Sequence, residues 1–291
     1  MKKLMSALAT AAALAMLASG CATSAPSTAE PSSADTSAPA DPGVGAITDL
    51  PDLKGKKLAV QTDTTGQIYA EENQAANGYE VVVFDDLPGC ANAVLAGTAD
   101  ACINDNGVLF DYATQNPTTK VVKEFATGEE YGMNVGKDNT ALHEFVNATL
   151  AEFKADGTYN TIFQKWFGTD PGATGTSAGY PDPAAAAGTL IKSGTLTMCT
   201  HMAYRPFEYY DTDNTTIIGF DVDLAEALAG KLGASLAIVD IEFGQITSGA
   251  VFTAKKCDIG VAATTITDER KQGSLFSDGY FDATQALLVK A

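Results

Sequence analysis

Arg270 in "TTITDER" stands five residues after Thr265. An arginine can grip a carboxylate through two parallel N–H donors. Thr64 and Thr65, in "TDTTGQIYAEEN", look like the opening of a helix, where free backbone N–H groups favour an anion. Asp105 closes the segment "ADACIND" and carries the opposite charge. Taken one at a time, each is a residue type common on surfaces. A pocket built from them must pair and hydrogen-bond every buried charge, or desolvation defeats binding. No CxxC pair or histidine cluster marks a metal site, since the histidines are His143 and His201 alone. Neither a metal nor a cofactor is expected.

The segments that must position these residues alternate strand and helix signals. "KKLAVQT" and "YEVVVFDD" read as strands, and "PGCANAVLAGT" reads as a helix with Pro88 near its first turn. "ADACIND" is a third strand and "YGMNVGKD", from Tyr131, a fourth. Two amphipathic helices follow, with Leu142, Phe145, Val146, Leu150 and Phe153 on one face and Tyr159, Ile162, Phe163, Trp166 and Phe167 on the next. A second block repeats the alternation. "GTLTMCT", "SLAIVDI", "CDIGVAAT" and "QALLVKA" are strands, and "DVDLAEALAGKLG" is a helix with Asp221 as its cap. Such alternation predicts an α/β fold with largely parallel sheets.

Composition bounds the rest. Of 291 residues, 45% are apolar and 19% charged, ordinary for a globular protein. Lys plus Arg total 18 against 36 Asp plus Glu, a formal charge of −18 that repels phosphate backbones and excludes nucleic acid as a partner. Lys2 and Lys3 precede an apolar run from Leu4 to Leu17 and then "ASGC", so residues 1–20 read as a secretory signal. Cys21 is the candidate for lipidation, because "ASGC" resembles the bacterial lipobox. The Ser/Ala/Pro-rich stretch to residue 48 reads as a flexible tether, and 169–189 as a second flexible linker. Export permits disulfides. Four remaining cysteines allow three pairings, among which Cys90 with Cys102 is the best candidate. Cys199 and Cys257 are expected on strands as small apolar fillers.

Several stretches carry a resemblance. "YRPFEYYD…IIGFDVDLAEALAGKLG", "CDIGVAATTITDERKQGSLFSDGYFDATQALLV", "LKGKKLAVQTDTTGQIYAEEN", "ADACIND" and "LAEFKADGTYNTIFQKWFG" are similar to the polar-amino-acid solute-binding proteins that feed ABC importers. That family implies a two-lobed type II periplasmic-binding-protein clamshell with its ligand in the cleft. Here the motif order is rotated, so the chain looks like a circular permutant. Its usual ends are joined through 169–189 and its usual chain is cut between Ala291 and Asp52. The rival explanation is a rearranged gene. In the permuted reading the small lobe is 49–134 and the large lobe 135–291. "ALLVKA" would be a severed crossing between the lobes and "YGMNVGKD" an intact one.

The resemblance also implies roles. Arg270, with backbone groups of Ala263 and Thr265, would hold the ligand carboxylate, and Thr65 would add a contact from the other lobe. Asp105 would take the ammonium. Tyr204 and Phe243 would sandwich the side-chain stem, while Phe207 belongs to the core. His201 replaces an Asp of many relatives and Asp63 replaces a Gly; both are candidate ligand contacts. The implied function is a monomeric, membrane-anchored receptor that delivers an amino acid to a permease, with no catalytic residue. The alternatives are an enzyme on the same fold, such as a dehydratase of prephenate-like acids with His201 or Asp63 as acid or base, and a sensor domain.

Overall fold

The computed structural model describes residues 46–291 except Ala178 and Tyr180. The expected signal, Cys21 and most of the first tether lie outside the described residues.

In the first lobe, β1 (Lys57–Gln61) is an apolar run buried from Leu58 onward. It turns into α1 (Thr65–Asn77), capped by the Thr64 hydroxyl, which accepts from the Gln67 N–H at 3.1 Å. Strand β2 (Glu80–Phe84) leads to α2 (Leu87–Ala96), where the Asp86 side chain caps the N-terminus and Pro88 fills the first turn. Strand β3 (Ala101–Asp105) is buried throughout and runs into α3 (Asn106–Gln115). The next strand, β4 (Thr119–Tyr131), is absent from the sequence pattern, whose fourth strand starts only at Tyr131. Its charges Lys120, Lys123, Glu124 and Glu130 dilute the apolar signal because β4 is the outer strand of its sheet, with water along one edge.

The second lobe begins with β5 (Asn134–Gly136) and the helices α4 (Thr140–Asp156) and α5 (Thr158–Phe167). Leu142, Phe145, Val146, Leu150 and Phe153 are buried, and the α5 aromatics pack on the same core. The stretch expected to be a flexible linker is tied to α5, where Asn160 donates to the Ala173 carbonyl at 3.1 Å. The short helix α6 (Pro183–Ala187) there buries Ala186 and packs on α4. The core strand β6 (Thr195–Thr200) and the β7 (Tyr209–Tyr210) and β8 (Ile217–Ile218) ribbon precede α7 (Phe220–Lys231). Gly219 introduces α7 at φ +150°, where a Cβ would stand 1.8 Å from the Phe207 carbonyl oxygen. The helix therefore starts before Asp221, which is fully buried and is not its cap. Strand β9 (Ser235–Asp240), helices α8 (Phe243–Thr247) and α9 (Ala250–Thr253), and strands β10 (Ile259–Gly260) and β11 (Ser274–Phe276) complete this lobe.

The last strand, β12 (Phe281–Lys290), does not stay with its predecessors. It enters the first sheet, ordered β2-β1-β3-β12-β4, between β3 and β4 and antiparallel to both. The second sheet is β11-β5-β10-β6-β9. This corrects the expected boundary that kept 135–291 together, and it corrects the severed crossing. The chain passes between the sheets twice, at 131–134 and at 276–281, and both passages are covalent. They also pair with each other. Ser277 N–H donates to the Met133 carbonyl and Tyr280 N–H to the Tyr131 carbonyl, each at 2.8 Å.

Each lobe holds one disulfide: Cys90–Cys102 ties α2 to β3, and Cys199–Cys257 ties β6 to the approach of β10. The first is the expected pair. The second corrects the reading of Cys199 and Cys257 as apolar fillers: side chains from neighbouring segments, 58 residues apart in sequence, meet in the core.

Candidate functional site

A small cavity is lined by residues from both lobes. From the first lobe come Gln61, Thr64, Thr65 and Asp105; from the second come His201, Tyr204, Glu208, Phe243 and Arg270 with Ala262, Ala263 and Thr265. Strand ends and helix starts supply most of them, where side chains project past the backbone ladder.

Arg270 is 8% exposed and spans the lobes. One terminal nitrogen donates to the Thr265 carbonyl and the other to the Asp63 carbonyl of the opposite lobe, each at 2.9 Å. Its guanidinium lies 5.4 Å from the centre of the Phe243 ring. Burial lowers its pKa, while Asp105 and then Glu129 push it back up. Asp105 is 4% exposed and accepts from the hydroxyls of Tyr131 and Tyr204 and from the Gln285 amide. Tyr204 belongs to the second lobe, so this bond, at 2.7 Å, also crosses the cleft. Glu129 is the neighbouring acid. It accepts from Thr65 at 2.6 Å, Thr265 at 2.8 Å and Gln285 at 2.9 Å.

Nine residues were named from the sequence, and the cavity gathers eight of them. Asp63 is the exception: its side chain is exposed, and it offers its carbonyl to Arg270 rather than its carboxylate to the cavity. Ala263, at φ +44°, spends its N–H on the Asp221 carboxylate at 2.7 Å, so that amide is not free for a ligand. Glu129, Gln285, Gln61, Tyr131 and Glu208 were missed. Gln285 had a signal, a lone amide in the apolar run "TQALLVK"; Glu129 sat in the strand the pattern concealed.

Burial dominates the acids here. It pushes Asp105 up to about 6, aided by the charge of Glu129, and pushes Asp221 up to about 6 as well. Between about pH 4 and 6 both carboxyls therefore hold protons in the folded chain that the unfolded chain, with carboxylates near about 3.9, has released. Their stabilisation is complete below about pH 4 and is lost as pH rises through about 6, on the order of 2 kcal/mol per group. Acids held low, such as Asp213 bonded by Thr216, act only further toward acid. The thermal midpoint is expected to stand several degrees higher at about pH 5 than at about pH 7, and Asp221→Asn is expected to flatten the slope. An unchanged midpoint would contradict the buried acids.

The chain matches the profile of bacterial extracellular solute-binding proteins, family 3, over residues 44–169 and 196–291. It is 34% identical to the ABC transporter glutamine-binding protein of Bacillus subtilis (strain 168) over 119 residues, 40% of this chain and 42% of that protein. Identity to the putative ABC transporter arginine-binding protein 2 of Escherichia coli (strain K12) is 31% over 128 residues, 42% of this chain and 52% of that one. The chain thus spans about half the length of these curated relatives. Among solved structures, the arginine-bound form of domain 1 from TmArgBP is 35% identical, covering 33% of this chain and 80% of its own, with a TM-score of 0.29.

Proposed function

Since the chain belongs to the bacterial extracellular solute-binding proteins of family 3, we propose that it closes two lobes on a polar amino acid and delivers it to an ABC importer. The observation that carries this reading is a buried cation and a buried acid, Arg270 and Asp105, lining one cavity from opposite lobes. A zwitterion needs both signs at once. Each lobe alone offers half the site, so the ligand favours the closed arrangement by touching both. Tyr204 and Phe243 supply the apolar walls, and Thr65 adds a hydroxyl already ordered by Glu129.

The protein acts as a carrier, not an enzyme, in this reading. Calorimetric titration with the full set of standard amino acids tests it, with prephenate-like acids assayed for turnover in parallel. Binding of at least one amino acid without turnover is expected; turnover without amino-acid binding would reverse the assignment. Anchoring rests on Cys21 within the lipobox-like "ASGC". Cys21→Ala is expected to release the protein from membranes while its ligand affinity stays unchanged. A variant that still sediments with membranes would rule out the anchor.

Circular permutation is part of the proposal. It is supported by the rotated motif order and by packing, since Leu50 and Leu53 share one buried cluster with Leu287 and Val289. The two segments that would be consecutive in an unpermuted relative therefore lie together. The cut between Ala291 and Asp52 falls inside the first lobe, and both passages between the lobes remain unbroken.

A further inference from the structure

Glu208 lies in the cavity wall, 1% exposed, and its Oε2 has no hydrogen-bond partner among the described residues. Behind it stands Asp221, fully buried. Two carboxyls in contact away from water do not both ionise. Asp221 is the one with donors: Tyr280 gives its hydroxyl at 2.8 Å and Ala263 its N–H at 2.7 Å. The proton therefore belongs to Glu208, which directs it at Asp221. Burial, and then the charge of Asp221, push Glu208 well above the usual carboxylate range. Its Oε2 is left as an uncharged acceptor, with the Thr200 hydroxyl as its neighbour.

His201, on the same cavity, is constrained from its other side. Its Nδ1 lies 3.1 Å from the Ile241 carbonyl, and a carbonyl only accepts, so Nδ1 carries the hydrogen. Nε2 is buried without a hydrogen-bond partner among the described residues, and with the hydrogen on Nδ1 it offers a lone pair. This wall of the cavity thus presents two acceptors. The acids Asp105 and Glu129 are engaged elsewhere, with Gln285 and the hydroxyls around it.

We infer that the ligand side chain ends in an uncharged –NH2, a carboxamide, whose two hydrogens meet Glu208 Oε2 and His201 Nε2. This rests on the amino-acid reading of the pocket. A side-chain carboxylate brings only acceptors to this wall and is repelled. An ammonium or guanidinium loses its water and finds no ionised partner there. A methyl leaves both acceptors unpaired.

The test is calorimetry at about pH 8 with glutamine, asparagine, glutamate, lysine and alanine. One of the two carboxamides is expected to bind at least about tenfold tighter than both glutamate and lysine. Glu208→Leu is expected to weaken that carboxamide about tenfold and alanine less than about twofold, whereas Glu208→Gln, whose amide can donate to Asp221 and keep a free carbonyl, restores the affinity. Glutamate or lysine binding as tightly as the carboxamides would overturn the inference even if Glu208→Leu failed to fold. Loss of binding in Glu208→Gln as severe as in Glu208→Leu would also overturn it, by showing an ionised Glu208. If no amino acid binds the wild type, the pocket reading itself falls, and this inference with it.

Discussion

Arg270→Ala is expected to weaken amino-acid binding by about 3 kcal/mol, roughly a hundredfold in Kd. Arg270 is a buried cation with two carbonyl acceptors from opposite lobes, so its loss removes the carboxylate grip and a bond that spans the cleft. It also leaves the Thr265 and Asp63 carbonyls without this donor and the charges of Asp105 and Glu129 without their opposite. Arg270→Lys keeps the charge but not the forked geometry and is expected to fall between the two. Calorimetry on the preferred ligand decides it. Affinity within twofold of wild type for Arg270→Ala would remove this residue from the binding site and leave its role purely structural.

Removing residues 281–291 is expected to abolish cooperative folding. Ala283, Ala286, Leu287, Leu288 and Val289 are all buried, and β12 is paired on both sides. Large-to-small changes at buried leucines cost about 2–5 kcal/mol each, and a typical domain has only about 5–15 kcal/mol in total. The deletion also strips the pairing from β3 and β4 and takes Gln285 out of the site. Leu288→Ala alone is expected to lower stability by about 2–5 kcal/mol. Circular dichroism during a thermal melt reads both variants. A truncated chain that still melts in one sharp step would mean that the first lobe closes without its inner strand.

Local chemistry was legible where it is carried by few residues. The Thr64 cap, Pro88 in its first helical turn and the apolar faces of α4 and α5 were all visible in the chain. Long-range placement was not. Nothing local in "QALLVKA" tells which of two sheets it joins, because an apolar strand suits the interior of either. Strand β4 was concealed by the charges that suit an outer position. Within the site, Arg270 and Asp105 were recognisable by motif, whereas Glu129 and Gln285 acquire meaning only when the sheet sets them beside Thr65 and Asp105. Asp63 misled because only its residue type could be read: its carbonyl, not its carboxylate, faces Arg270.

The position of β12 also bears on the order in which the molecule can assemble while it is being made. Strands β5 to β11 and helices α4 to α9 occupy one uninterrupted stretch of sequence, so the second lobe can finish as soon as that stretch has emerged. The first lobe cannot. Its strands β1 to β4 arrive earliest, yet β3 and β4 have no contact partner between them until β12, later in sequence than every other strand of the sheet, slots in. During that interval two strand edges face water, the arrangement most prone to pairing with other chains. Lys120, Lys123, Glu124, Glu129 and Glu130 on β4 then act as a guard on the nascent chain, discouraging a stranger from taking the slot before its proper occupant arrives.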